Sequence, residues 1–337
     1  MQDVGDLAGV HRTTVSLALH DHPSIPETTR LKVRKAADKL GYRLNPLISA
    51  LMSSRRTHRG SSPHTTLAFL TSSKSGEDWR QSQTLREQFA GAKEQARLQG
   101  FHVEEFPLYA DGMTPARANQ VLFNRGIIGL IVAPVHSGLR TLPLDWDQFA
   151  AVGIAFTLNS PNIPRVGNDH GESARLCINE CRRRGCRRIG LAVQKSIMER
   201  VEEQWMGGYL IEHNYPKKLS YPKPLITDEW NQQTFLRWFK VERPDVVLTG
   251  GGYANVLTWL RGAGFKVPAD VGVVSLDLHV YDGSVAGINQ NSAQIGAIVA
   301  DTLIGRLSRN ERGALPFPLR IHRMGQWLEG STLRPAE

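Results

Sequence analysis

From about Thr65 onward the chain alternates short apolar runs with longer amphipathic stretches, and this alternation limits the fold more than any other feature. The strand candidates are "TLAFL" at 66–70, "IIGLIVAP" at 127–134, "FAAVGIAF" at 149–156, "RIGLAV" at 188–193, "DVVLTG" at 245–250 and "VGVVSL" at 271–276. Helical stretches fall between them, at 83–99, 171–184, 230–241 and 296–309. Repeated strand–helix–strand units predict parallel sheets covered by helices on both faces. Ligands of such sheets sit beyond the C-terminal ends of the strands. With 337 residues the chain has room for two or three domains.

Several function classes find no support. No apolar run approaches the ~20 residues of a membrane span. No charged start leads into an apolar core, so no signal peptide is expected and the cytoplasm is the expected compartment. There is no HExxH, GxSxG or paired-carboxylate pattern for catalysis. "LTGGGY" lacks the Lys-Ser/Thr of a phosphate loop and reads as a tight strand-to-helix turn. Cys177, Cys181 and Cys186 contain no CxxC pair and have no fourth ligand nearby, so reduced, structural thiols are expected and no metal or cofactor. In "CRRRGCRR" the arginines are expected to complement a helix C-terminus before Gly185 rather than to bind nucleic acid.

The N-terminus does not continue the α/β pattern. Residues 1–60 hold ten Lys/Arg against five Asp/Glu, a balance of +5, whereas the other 277 residues hold 31 against 27, only +4. Such a concentration is the footprint of a nucleic-acid-binding module, with a solvated basic surface as the alternative. The spacing predicts three short helices. "DVGDLAGV" ends at Gly9. Arg12 to about Leu19 turns Val15, Ala18 and Leu19 inward and Thr13, Ser16, Leu17 and His20 outward. The third is "PETTRLKVRKAADKLGY", with Val33, Ala36, Ala37 and Leu40 apolar and Arg30, Arg34, Lys35 and Lys39 on the polar side. A Thr/Ser/Leu/His stripe suits a DNA major groove, where hydroxyls meet either kind of base edge and an apolar group meets a thymine methyl. The alternative is a small helical cap on an α/β protein.

The head resembles that of LacI-family transcription regulators. The matching residues are Asp3-Val4, Ala8-Gly9-Val10, Thr14-Val15-Ser16, Leu19, Thr29-Arg30, Val33, Gly41-Tyr42 and Asn45. The resemblance implies an all-α helix-turn-helix domain over residues 1–44. Its base-reading positions fall on Arg12, Thr13 and Leu17. Thr14, Ser16, Tyr42 and Asn45 correspond to positions that hold phosphates and register. Leu17 stands where Arg or His is frequent. His11 and His20 replace the usual Ser and Asn. The chain also begins later than the family pattern, and the first helix is expected to lack its usual cap.

Residues 45–63 begin with Leu47, Ile48, Leu51 and Met52 at helical spacing and then decay into Ser, Arg and Gly. Two turns of helix are unstable alone. The resemblance implies a hinge helix that folds on operator DNA and pairs at the dyad. There Leu51 would wedge into the minor groove and kink it. Arg55, Arg56 and Arg59 would add phosphate attraction. The alternative is a flexible linker.

The rest, residues 64–337, also resembles that family, whose core is like a periplasmic sugar-binding protein. "VGNDHGESA", "RRRGCRRIGLAV" and "PADVGVVSLD" carry the likeness. The implied architecture is an α/β core of two doubly wound parallel-sheet subdomains. One spans about 64–166 and 291–319, the other about 167–290 and 320–337, with crossings near Gly167, Gln290 and Leu319. In the pocket, Trp205 stands where sugar-responsive members carry an Arg, and Gly250-Gly251 replaces an Asn-Asp pair. Asp277 matches a ligand-binding Asp, and Asn291 replaces another. Trp79 is a further aromatic candidate. Trp205 is equally a candidate core residue and Asp277 a candidate loop cap.

The expected function is a transcriptional regulator, of repressor type, that binds a palindromic operator as a homodimer. A small-molecule effector, a sugar or sugar derivative, would modulate operator affinity. The C-terminus has no leucine heptads, so a terminal coiled coil is not expected. One alternative is a sugar- or nucleobase-binding protein with a vestigial, non-specific head. Another is an α/β enzyme with a helical cap.

Overall fold

The computed structural model describes residues 2–19, 25–40, 65–72, 78–110, 112–135, 141–214, 221–279 and 281–336. The chain divides into two compact units, residues 1–63 and 64–337.

In the first unit three helices, α1 (Gln2–Ala8), α2 (Arg12–Leu19) and α3 (Glu27–Lys39), surround a core of Val4, Val15, Ala18, Ile25, Val33, Ala36 and Ala37. Gly9 ends α1 in a left-handed conformation (φ +65°), and the Val10 N–H reaches back 2.9 Å to the Gly5 carbonyl. That closure satisfies an orphan carbonyl of the helix end and turns the chain tightly into α2. α3 starts from Pro26, whose carbonyl accepts from the N–H groups of Thr29 and Arg30, both at 3.0 Å. Leu40, assigned to the apolar face by spacing, lies one residue past α3 and is exposed, because the helix ends before it can turn inward.

The second unit holds two six-stranded sheets. The first comprises β1 (Thr65–Thr71), β2 (Phe101–Pro107), β3 (Gly129–Val132), β4 (Ala150–Ile154), β5 (Arg165–Asn168) and β11 (Arg320–Arg323). Its order is β11-β5-β4-β3-β1-β2, parallel throughout. The second comprises β6 (Ile189–Gln194), β7 (Leu225–Thr227), β8 (Val246–Thr249), β9 (Gly272–Leu278), β10 (Ala286–Asn289) and β12 (Gln326–Leu328). Its order is β12-β10-β9-β8-β6-β7, parallel except for the edge strand β12, which runs antiparallel to β10.

Helices cover both faces of each sheet. α4 (Gln83–Leu98) and α11 (Ser292–Ser308) pack on one face of the first sheet, and α5 (Pro115–Asn124) on the other. On the second sheet α6 (His170–Arg183) and α8 (Gln204–Asn214) take one face; α9 (Gln232–Glu242) and α10 (Tyr253–Gly262) take the other. The short α7 (Lys195–Arg200) follows β6. Double coverage explains why β3 and β4 are buried at every residue rather than at alternate ones. Side chains cap α4, α5, α6 and α9: Ser82, Thr114, Asp169 and Asn231 each accept a backbone N–H of the first turn.

The chain crosses between the sheets three times: after Asn168, after Asn289, and at Met324–Gly325. The third crossing falls later than the expected position near Leu319, because residues 320–323 pair with β5 and extend the first sheet before the chain leaves it. Hydrogen bonds tie the crossings together. The Asn168 side chain donates to the Gln290 carbonyl (2.6 Å), the Asp169 N–H to the Arg323 carbonyl (2.9 Å) and the Asn291 side chain to the Met324 carbonyl (3.5 Å).

Two further contacts join the halves. Gln83, at the start of α4, donates to the His279 carbonyl beyond β9 at 2.7 Å. Arg320 on β11 forms a two-pronged ion pair with Glu202, in the turn between α7 and α8.

The three cysteines are free and buried, Cys177 and Cys181 on α6 and Cys186 just beyond it. The neighbouring arginines are paired largely with carboxylates: Arg182 with Glu212, Arg183 with Glu180, and Arg184 with Glu180 and Glu329. No described helix is long and apolar enough to cross a membrane.

Candidate functional site

On the head, α2 presents Arg12 and Thr13 to solvent, while Thr14, Ser16 and Leu17 are half-buried. Leu17, expected on the outward stripe, packs partly against the head core, since an eight-residue helix held between α1 and α3 leaves little of its surface clear of both. His11 takes the cap position before α2. Its Nδ1 lies 2.9 Å from the Thr13 hydroxyl and 3.4 Å from the Thr13 backbone N. On α3, Lys32, Arg34, Lys35 and Lys39 are exposed, and Arg30 is held by the Ile25 carbonyl (2.9 Å) and Glu27. His20, Tyr42, Asn45, Leu51 and the hinge segment lie outside the described residues.

In the second unit the polar groups gather at the C-terminal ends of the strands. β8 ends at Thr249, and the glycines that follow let two side chains approach. A Cβ on Gly250 would lie 2.6 Å from Cη2 of the Trp205 ring, and Gly251 is left-handed (φ +66°) with its N–H donating to Asp277 Oδ1 at 2.6 Å. Asp277 comes from β9. Burial pushes its carboxyl up to about 6, against the opposing pull of the Gly251 N–H, His279, Ser275 and Arg200.

Trp205 opens α8 and is 1% exposed, with its indole edge-on to His170 (ring centres 5.3 Å apart). His170 begins α6, directly after the first crossing. Burial lowers its pKa to about 4, so it is neutral at physiological pH. Three buried polar atoms on this side have no hydrogen-bond partner among the described residues: Trp205 Nε1, His170 Nδ1 and Thr249 Oγ1. Thr71 Oγ1, at the end of β1, is in the same condition in the first sheet. Buried polar groups are almost always paired, and leaving one unmet costs about 1–3 kcal/mol.

Sequence reasoning singled out Trp205 and Asp277, and the structure places both beside the 249–251 turn. It does not bring Trp79 or Asn291 into that arrangement. Trp79 is buried against Phe69 and Phe89, and its indole N–H donates to Glu105. Asn291 precedes α11 in a left-handed conformation and bonds across to the third crossing. His170 and Thr249 were missed. His170 lies within "VGNDHGESA", so the motif was visible but the residue's burial was not. Among the described residues no group of His, Cys, Asp and Glu could hold a metal ion.

Residues 1–45 match the family model of bacterial regulatory proteins of the lacI family, and residues 178–321 match a periplasmic binding protein-like domain. The chain is 24% identical over 295 residues to the NTD biosynthesis operon regulator NtdR of Bacillus subtilis (strain 168), covering 82% of each protein. Among solved structures it resembles the transcriptional regulator CelR–cellobiose complex (TM-score 0.60, 20% identity, 98% of each chain). It also resembles the lac repressor dimer bound to operator and the anti-inducer ONPF (TM-score 0.56, 18% identity, 98% of this chain and 97% of that one). At such identities the solved structures speak for the fold. With a match to the lacI family of bacterial regulatory proteins at its N-terminus and a match to a periplasmic binding protein-like domain behind it, the chain resembles transcriptional regulators of the LacI type in both of its parts.

Proposed function

We propose that the protein represses transcription as a homodimer on a palindromic operator, with residues 1–44 as the reading head, 45–63 as the hinge and 64–337 as the effector core. The observation that carries this reading is the exposure of Arg12 and Thr13 at the start of a helix whose opposite face is fully buried. A helix so placed offers its N-terminal side chains to a major groove, and two heads related by a two-fold axis read a palindrome. The lac repressor dimer, solved on operator, supports this arrangement by its likeness to the chain.

The effector is a sugar or sugar derivative, bound against Trp205, Thr249, His170 and Asp277. A ligand hydroxyl both donates and accepts, so it can satisfy an indole N–H, a threonine hydroxyl and a carboxylate together. The CelR neighbour was solved with cellobiose. The effector shifts the balance between arrangements of the two halves and changes operator affinity, typically 5–150-fold for couplings of about 1–3 kcal/mol.

Selection from a random duplex DNA library at ~150 mM salt, where non-specific binding is weak, tests the reading. A near-palindrome whose half-sites change in Thr13→Val supports it. Binding with no recovered motif, vanishing as salt rises, favours a small-molecule-binding protein with a non-specific head. Thermal-shift screening against mono- and disaccharides tests the effector; a shift lost in Asp277→Ala is expected.

A further inference from the structure

The first N–H groups of a helix have no partner within it, and Ser, Thr, Asp or Asn usually supplies one. At α2 that position is held by His11. Its Nδ1 lies within hydrogen-bond reach of two groups of one residue, the Thr13 backbone N–H (3.4 Å) and the Thr13 hydroxyl (2.9 Å).

A backbone N–H can only donate. The tautomer that makes that bond leaves Nδ1 as the accepting nitrogen and places the ring proton on Nε2. In that tautomer the hydroxyl 2.9 Å away is the donor and shares the single Nδ1 lone pair with the backbone N–H. A hydroxyl has one proton. Once that proton is committed to Nδ1, only oxygen lone pairs face outward.

We infer that His11 positions the Thr13 hydroxyl as an acceptor-only group toward DNA, so that this regulator selects a base with a major-groove amino group at the position Thr13 meets. Adenine N6 and cytosine N4 donate there, whereas guanine O6 and N7 and thymine O4 only accept. A free threonine hydroxyl rotates to meet either kind of edge. His11 thus turns an ambiguous reader into a selective one without touching the base. The inference rests on the operator reading proposed above and adds to it a positioning residue and the polarity of one contact.

Two measurements on the full chain test it. In protein labelled with ¹⁵N-histidine, with Asn substituted at position 11 to identify the His11 signals, the Nε2–H tautomer is expected. A proton on Nδ1 overturns the inference whatever the DNA result. In duplex selection at pH 8, the half-site position whose preference disappears in Thr13→Val is expected to carry A or C, favoured at least about fivefold over G and T. His11→Asn, whose amide oxygen can stand where Nδ1 stood and has two lone pairs, keeps that preference. His11→Gln, which places its amide near Nε2 instead, loses it while retaining the helical circular-dichroism signal. G or T at that position in the wild type overturns the inference, as does an unchanged preference in folded His11→Gln. Those results leave the operator reading intact. No motif from the wild type at all removes the operator reading itself.

Discussion

Gly91 on α4 and Gly296 on α11 let the two helices cross with backbone against backbone. A Cβ on Gly91 would lie 2.6 Å from the carbonyl carbon of Ala293, and one on Gly296 would lie 2.8 Å from the Ala92 nitrogen. Neither neighbour is a flexible side chain that can swing away. Gly91→Ala and Gly296→Ala should each cost at least about 2 kcal/mol in urea unfolding, despite alanine's better helix propensity of ~1 kcal/mol. Gly207 on α8 is the control, since nothing lies within 4 Å of its missing Cβ. Gly207→Ala should stabilise by about 0.5–1 kcal/mol. Equal effects at all three positions would refute the crossing geometry.

Gly250 and Trp205 share one space. Gly250→Ala alone should destabilise by about 1–3 kcal/mol, and Trp205→Phe alone by a similar amount through the void it leaves. The double variant should cost less than the sum, because the ring atoms that the new methyl meets are gone. Strict additivity would mean the two side chains do not compete.

Asp277 and His170 pull acid stability in opposite directions. The Asp277 carboxyl is raised to about 6 in the folded chain from its ordinary value of 3.8, so the folded state binds its proton more tightly. Its contribution is fully present below about pH 3.8 and lost as pH rises through 6. His170 is lowered to about 4 from 6.5, so its contribution is present above pH 6.5 and lost as pH falls through 4. Asp277→Asn should therefore be more stable than wild type at pH 7 by about 1–3 kcal/mol, converging near pH 4. His170→Asn should lose less stability than wild type between pH 6.5 and 4. Parallel pH profiles for variant and wild type would contradict the burial assigned to either group.

Arg320 and Glu202 join the two halves, with the guanidinium also 4.8 Å from the Phe156 ring centre. The Arg320 and Glu202 side chains are 41% and 32% exposed, so the coupling should be small, about 0.5–1 kcal/mol in a double-mutant cycle. Charge reversal of either residue should weaken the protein, and the exchanged pair, Glu202→Arg with Arg320→Glu, should recover most of the loss. No recovery would assign Arg320 to its aromatic contact instead.

Much of the architecture was legible because two periods dominate the chain. The short, largely apolar runs at β1, β3, β4, β6, β8 and β9 read as strands buried on both faces, and the 3.6-residue pattern of the head outlined α2 and α3. β5, β10, β11 and β12 were not legible. Each is three or four residues long and carries Arg, Gly, Asn or Gln, and β11 and β12 lie at sheet edges, where pairing partners rather than hydrophobicity hold them. α8 was hidden for a different reason: with Gly207-Gly208 inside it and apolar residues all round, it has no clear amphipathic stripe. At the site, residue type was visible but partners were not. Trp79 looked like a ligand wall until Phe69, Phe89 and Glu105, from three other elements, enclosed it. The His11–Thr13 contact spans only two residues, yet it depends on a rotamer, which spacing does not encode.

The three crossings between the sheets are bonded to one another, through Asn168 and Gln290, Asp169 and Arg323, and Asn291 and Met324. Three independent strands of chain would let the halves twist, slide and bend. Laced side by side, they resist such displacements together, because shifting any one crossing strains hydrogen bonds to the other two.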